Sequence, residues 1–213
     1  MNSEIDKSNK LYFLTRLTPN ANSWEQPSGI DGKCSENQIY EAFHGFGWEE
    51  WLLNDVKNES ECKDGYCYGF IQAFNGRNKQ YSNIDKLFLY TRKSENKSIK
   101  NYYVGYIENI EILKTPSDFD YLIEKCKRFC EKAKIDLKNC NIEDFQNELL
   151  KMCNEKKFYN VRFKPDNVHF KIQYQHTIKL EKGQFRFTLY DLKQHTNLTN
   201  EILSIEKNIN LKN

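Results

Sequence analysis

Trp48 and Trp51 stand three residues apart around the carboxylates Glu49 and Glu50, directly after Phe46 and Gly47; Trp24 stands apart on a polar stretch with Asn20, Asn22 and Ser23. Flat side chains next to a few hydrogen-bonding groups are what hold a nucleobase taken out of its stack. Trp24, Trp48, Phe46, Asn20, Asn22, Ser23 and Glu49 are therefore the candidate base-pocket residues. The same group would also hold a peptide or a small aromatic molecule. If 47–53 is a short helix, Trp48, Trp51 and Leu52 share one face and Glu49 and Glu50 turn away from it. Trp51, flanked by Leu52 and Leu53, reads as core. Trp48 follows two glycines and fits core or pocket wall equally. Trp24 reads as exposed, because nothing apolar next to it explains burial.

The second feature is the run from Arg92 to Lys100, with four cations against one acid. Arg92, Lys93, Lys97 and Lys100 are candidate phosphate contacts on a loop, although such runs are usually only solvated surface. Net charge is +2, so no uniformly basic surface advertises nucleic acid, and only a local patch could.

Catalytic patterns are missing. There is no HExxH, GxSxG or phosphate-binding glycine loop, and no nuclease-type carboxylate pair with its lysine. Glu49 and Glu50 are adjacent and point apart, and no Asp or His is placed to join them on a metal. No catalytic residue, metal or cofactor is assigned. The seven cysteines are an odd number and fit reduced thiols in the cytoplasm better than a disulfide framework. Cys62 and Cys67, and Cys126 and Cys130, have no further ligands at zinc spacing and read as small hydrophobes. No apolar run is long enough to span a membrane.

The elements that must position these residues follow from periodicity. With 213 residues, 14 Phe and 13 Tyr, the chain can bury a substantial core rich in aromatics. Strands are predicted at 11–18, 66–74, 86–91, 102–113, 159–163, 168–174 and 184–192. Gly105 inside the fourth suggests a bulge or a close neighbour. Short helices are predicted after the capping box at Ser35–Gln38 and over 47–53, and longer ones over 116–133 and 142–153. Leu198, Ile202, Ile205 and Ile209 give the last helix its stripe. The sum is α+β, a mostly antiparallel sheet that is closed or nearly closed, with helices outside it.

Residues 11–54 (LYFLTRLTPNANSWEQPSG … YEAFHGFGWEEWLLN) and 87–113 (LFLYTRKSENKSIKNYYVGYIENIEIL) resemble the PUA-like superfamily, specifically EVE and YTH domains. The resemblance implies a β-barrel core over 11–113, with 114–213 as a helical and β extension packed on it. It also implies a reader that flips a modified base into an aromatic pocket, without enzymatic activity of its own. Such a domain is the recognition module of a modification-dependent restriction or defence system, beside a nuclease or motor partner. DNA with a modified base is the expected partner. An RNA-modification reader of the same fold is the first alternative, and a domain that binds a peptide in its aromatic groove is the second.

Overall fold

The computed structural model describes residues 10–25, 48–56, 62–75, 80–95, 98–114, 120, 124–125, 159–170, 175–180 and 189–210. The helices predicted after Ser35 and over 142–153 lie outside them, as does 116–133 apart from Asp120, Glu124 and Lys125.

The centre of the fold is a long hairpin, β3 (Asn83–Glu95) against β4 (Ser98–Ile112). Around it stand β1 (Tyr12–Arg16), β2 (Cys67–Gly69), β5 (Val161–Phe163), β6 (Val168–Phe170) and β7 (Tyr190–Asp191). The strand order is β2-β5-β4-β3-β1-β7, with β6 also paired to β4. β1 runs parallel to β3, and every other pairing is antiparallel. The architecture is thus α+β, but the expected barrel is not formed. Among the described residues the path stays open, ending on β2 and β7. Residues 159–191 supply an inner strand, β5, as well as β6 and β7, so they are woven into the same sheet as 11–113.

Both faces of the sheet are buried. Phe13, Leu17, Leu87, Leu89, Val104, Ile107 and Ile110 form one core with Trp24, Leu52 and Phe74. Leu14, Phe88, Tyr90 and Tyr103 form the other with the stripe of the single described long helix, α1 (Thr196–Asn210). Leu198, Ile202 and Ile205 of that stripe are buried, and the Tyr103 hydroxyl donates to Glu206 Oε1 at 2.6 Å. A strand buried on both faces reads as a continuous apolar run, which is why Leu11–Thr18 and Lys86–Thr91 are recognisable in sequence.

Two predicted strands change character. The one expected over 66–74 stops at Gly69, and Gln72–Phe74 form a turn of 3-10 helix. The backbone donors beyond Gly69 are taken by side chains instead: Ile71 N–H donates to Asn160 Oδ1 at 2.9 Å and Gln72 N–H to Glu49 Oε1 at 2.6 Å. In β4 the register slips at the Leu89/Tyr90 step, opposite Val104. Tyr106 therefore faces the α1 side, while Val104, Ile107 and Ile110 share the other. An uninterrupted alternation would put Val104 and Tyr106 on one face; the bulge breaks it.

Gly105 makes the slip possible. Its φ is +137°, and a Cβ there would lie 2.2 Å from the His169 carbonyl oxygen and 2.8 Å from Phe170 Cα. Gly105→Ala should destabilise the chain by about 2–6 kcal/mol, from backbone strain and forced displacement of β6 together. A urea unfolding midpoint equal to wild type would show that β6 can retreat without loss.

Candidate functional site

Residues 17–25 leave β1 and fold back under the sheet. Asn20 directs the reversal: its Oδ1 accepts from the Asn22 N–H at 2.7 Å and the Trp24 N–H at 2.9 Å. Ser23 and Trp24 both take left-handed backbone angles, with φ of 59° each. That geometry swings the indole inward, where Trp24 is wholly buried and its Nε1–H donates to the Thr18 carbonyl at 2.9 Å. Phe170 stacks edge-on at 6.0 Å between centroids. The exposed tryptophan expected from the polar loop is instead a core residue. Local composition pointed outward; the burying partners come from distant stretches.

The segment beginning with the 3-10 helix Trp48–Trp51 closes over this loop. Glu49 Oε2 accepts from the Thr18 N–H at 2.6 Å and its hydroxyl at 3.0 Å, while Oε1 takes Gln72. Glu50 Oε2 accepts from Asn20 Nδ2 at 2.7 Å. The Leu53 N–H donates to the Trp24 carbonyl at 2.8 Å, and Asn54 Nδ2 to that of Glu25 at 2.8 Å. Glu49 and Glu50 are both buried. A charged group enters a core when donors meet it there, and here loop 17–25 and Gln72 provide them.

Of the candidate pocket residues, the structure brings Trp24, Asn20 and Glu49 into one buried clasp. Asn22 and Ser23 are half-buried on its outer side. Asn20 and Glu49 are engaged in holding the chain to itself rather than offered at a base edge. Phe46 lies outside the described residues, as do the side chains of Trp48 and Trp51.

The basic run is a β-hairpin, not a loop. β3 and β4 stay paired to Glu95–Ser98, with Arg92 opposite Asn101 and Lys93 opposite Lys100. Arg92 Nε donates to Asn101 Oδ1 at 3.0 Å. The Asn101 carbonyl still accepts from the Ile178 N–H at 2.9 Å; past it no third strand joins among the described residues, so three residue pairs form an arm roughly 10 Å long. Lys100 and Ile99 are exposed on it, Ile99 at 67%. Lys97 lies outside the described residues. The arm is rooted in the clasp, since Thr91 Oγ1 donates to the Leu17 carbonyl at 3.2 Å.

Sequence reasoning missed a buried ion pair. Lys125 Nζ contacts Asp55 Oδ2 and the Tyr68 carbonyl and lies 5.1 Å from the centre of the Tyr159 ring. The available signal was spacing: Lys125 follows Leu122 by three residues and precedes Phe129 by four, which puts it on the apolar stripe. Among the described residues, no group of three or more His, Cys, Asp or Glu could hold a metal, and no helix is long and apolar enough to cross a membrane. No known protein family matches the chain, and neither a curated protein nor a solved structure shows significant similarity to it.

Two outcomes follow from the clasp. Trp24→Ala should cost about 3–5 kcal/mol of stability, as a truncated core aromatic does; a variant that unfolds at the wild-type denaturant midpoint would place the indole outside the core. Glu49 sets a pH dependence. Burial is the larger influence and raises its carboxyl above the ordinary 4.5, against its hydrogen bonds and the Arg16 guanidinium. Between 4.5 and the raised value the folded chain keeps a proton that the unfolded chain has released. This contribution to stability is therefore full below 4.5 and is lost as pH rises through the folded value. Stability of Glu49→Gln, measured across the same window, should lack that decline; parallel curves for the two proteins would refute the assignment.

Proposed function

We propose that the chain is a reader domain of the PUA-like kind that binds DNA and recognises a modified base flipped out of the duplex. In this reading it is a cytoplasmic binding module without enzymatic activity, and a nuclease or motor partner acts on the DNA it finds. The observation that carries the proposal is the basic arm, with Lys93 and Lys100 directly opposite each other and Arg92 one rung nearer the sheet. Basic side chains on adjacent rungs of a ribbon are suited to phosphate contacts, which set grip on a duplex irrespective of sequence. Ile99 beside them adds an apolar contact of the kind that packs against sugars or bases.

Burial of Trp24 moves the stacking role to Trp48. Trp48 directly precedes Glu49, whose carboxylate is held by Thr18 and Gln72, so the backbone that carries the indole is fixed from the core. Asn22 and Ser23, half-buried in the same loop, are the polar residues of this reading nearest the surface.

Binding of one duplex carrying unmodified cytosine, 5-methylcytosine, 5-hydroxymethylcytosine or N6-methyladenine tests both parts. Neutralising Arg92, Lys93, Lys97 and Lys100 should weaken binding to all four alike and flatten the dependence on salt, because phosphate contacts carry no base information. Trp48→Ala should leave that sequence-blind binding in place and remove the preference among the four. With about 1–3 kcal/mol per stacked base, the preference should fall roughly five- to 150-fold. Unchanged affinity and salt slope in the charge variant would end the DNA reading. Tighter binding to a matched RNA would transfer the proposal to RNA, where the 2′-hydroxyl discriminates.

A further inference from the structure

Outside the clasp and the arm, the described residues hold one pair of nucleophilic side chains in contact. Cys62 and Cys67 flank a hairpin turn in which Lys63 and Tyr66 exchange both backbone hydrogen bonds, at 3.0 and 2.9 Å. The two central residues, Asp64 and Gly65, have φ of 53° and 75°, the positive values that a tight two-residue hairpin turn demands. The next pair outward, Cys62 with Cys67, is then a non-hydrogen-bonded cross-strand pair. Such pairs bring Cα atoms to about 4.5 Å, inside the range of about 4.4–6.8 Å that a disulfide spans. The sulfurs lie 3.1 Å apart as free thiols.

We propose that Cys62 and Cys67 are an oxidisable thiol pair, a modification site at which a hydroperoxide converts the reduced hairpin into a cross-strand disulfide. The two thiols are not equivalent. Cys62 is half-buried and can meet an oxidant, while Cys67 is fully buried. Burial first, and then the neighbouring Cys62, also raises the Cys67 thiol far above its ordinary range, so Cys67 stays protonated and does not react first. Cys62, as thiolate, attacks one peroxide oxygen; the S–O bond forms, the O–O bond breaks, and water leaves from hydrogen peroxide. The Cys67 sulfur then attacks the Cys62 sulfenic acid. The S–S bond forms, the S–O bond breaks, and the departing hydroxide leaves as water with the Cys67 proton. Two thiols and one peroxide give one disulfide and two waters.

Oxidation is felt inside the fold. The Cys62 thiol donates to the Asp55 carbonyl at 3.6 Å, a contact the disulfide cannot make. Asp55 and the carbonyl of Tyr68, the residue after Cys67, are the two groups that hold Lys125. The pair therefore sits on the backbone that frames the buried ion pair.

The test is peroxide treatment of the fully reduced chain, thiol alkylation, and peptide mapping after trypsin, which cuts between the two cysteines at Lys63. The expected product is peptide 58–63 linked to peptide 64–77, released by dithiothreitol, and formed before linkages among the other cysteines. Cys67→Ser should lose the linked product and accumulate a sulfenic acid at Cys62 that dimedone traps. Cys62→Ser should leave Cys67 alkylatable at peroxide levels that oxidise the wild type. The proposal is overturned if wild-type Cys62 passes to sulfinic acid without linkage, if both thiols stay alkylatable, or if Cys67 is oxidised as fast without Cys62.

Discussion

The Glu49 carboxylate is the interaction on which the described fold depends most. It receives the Thr18 backbone and hydroxyl on one oxygen and the Gln72 backbone on the other. The carboxylate thereby ties its own 3-10 segment to two other stretches, the exit of β1 and the chain just past β2. A buried carboxylate is expensive to desolvate and stays in place only where several donors satisfy it. The same donors would be orphaned without it, and a buried unsatisfied N–H costs about 1–3 kcal/mol. Group and partners thus require each other, and Trp24 lies beneath them as the apolar filling. Its indole N–H bonds the carbonyl of the very threonine that binds Glu49.

Around that clasp, the β3–β4 hairpin acts as a beam. Its middle is buried on both faces, and its far end leaves the sheet as the basic arm. The bulge at Val104–Gly105 separates the two regimes. On the inner side, β5 and β6 pair to β4; on the outer side, among the described residues, β4 meets the short run around His176 to Ile178 and no further strand. The rise in twist that accompanies a bulge re-aims the strands at this point. Thr91 bonds the Leu17 carbonyl, which ties the root of the arm to the clasp.

What the sequence made legible follows from which residues carry a local period. β1, the middle of β3 and the stripe of α1 were readable because each is buried by its own continuous or 3.6-residue pattern, and Gly105 announced its bulge as a glycine inside an apolar strand. The arm was read as a loop for the opposite reason. Arg92–Lys100 shows no apolar alternation, and its pairing continues the ladder begun further down. Trp24 reads as exposed from its loop because its burial is decided by residues remote in sequence, Phe170 and the 49–54 segment; the burial of Glu49 likewise depends on Thr18 and Gln72, 31 and 23 positions away. Composition within a loop cannot encode that. The barrel expected from the family resemblance failed on topology: β1 pairs parallel to β3 and antiparallel to a two-residue β7, which leaves the sheet with two ends.

In the proposed reading, moving Trp24 into the core strengthens the case for a preformed site rather than weakening it. Recognition of one altered base among four rests on contacts held to within about half an ångström, which a loop tethered only at its ends does not provide. Here the loop after β1 is pinned at Thr18, Asn20, Trp24 and Glu25, and every one of those pins reaches residues 49–54. The backbone from Glu49 to Asn54, directly after Trp48, is therefore held before any ligand arrives, so binding need not supply that ordering entropy. The arm has the complementary character. A narrow ribbon without a third strand can adjust to a phosphate backbone, and its charges act on any duplex irrespective of sequence. Rigidity at the clasp and tolerance along the arm divide discrimination from grip, and their common root at Leu17 and Thr91 lets one bound duplex engage both.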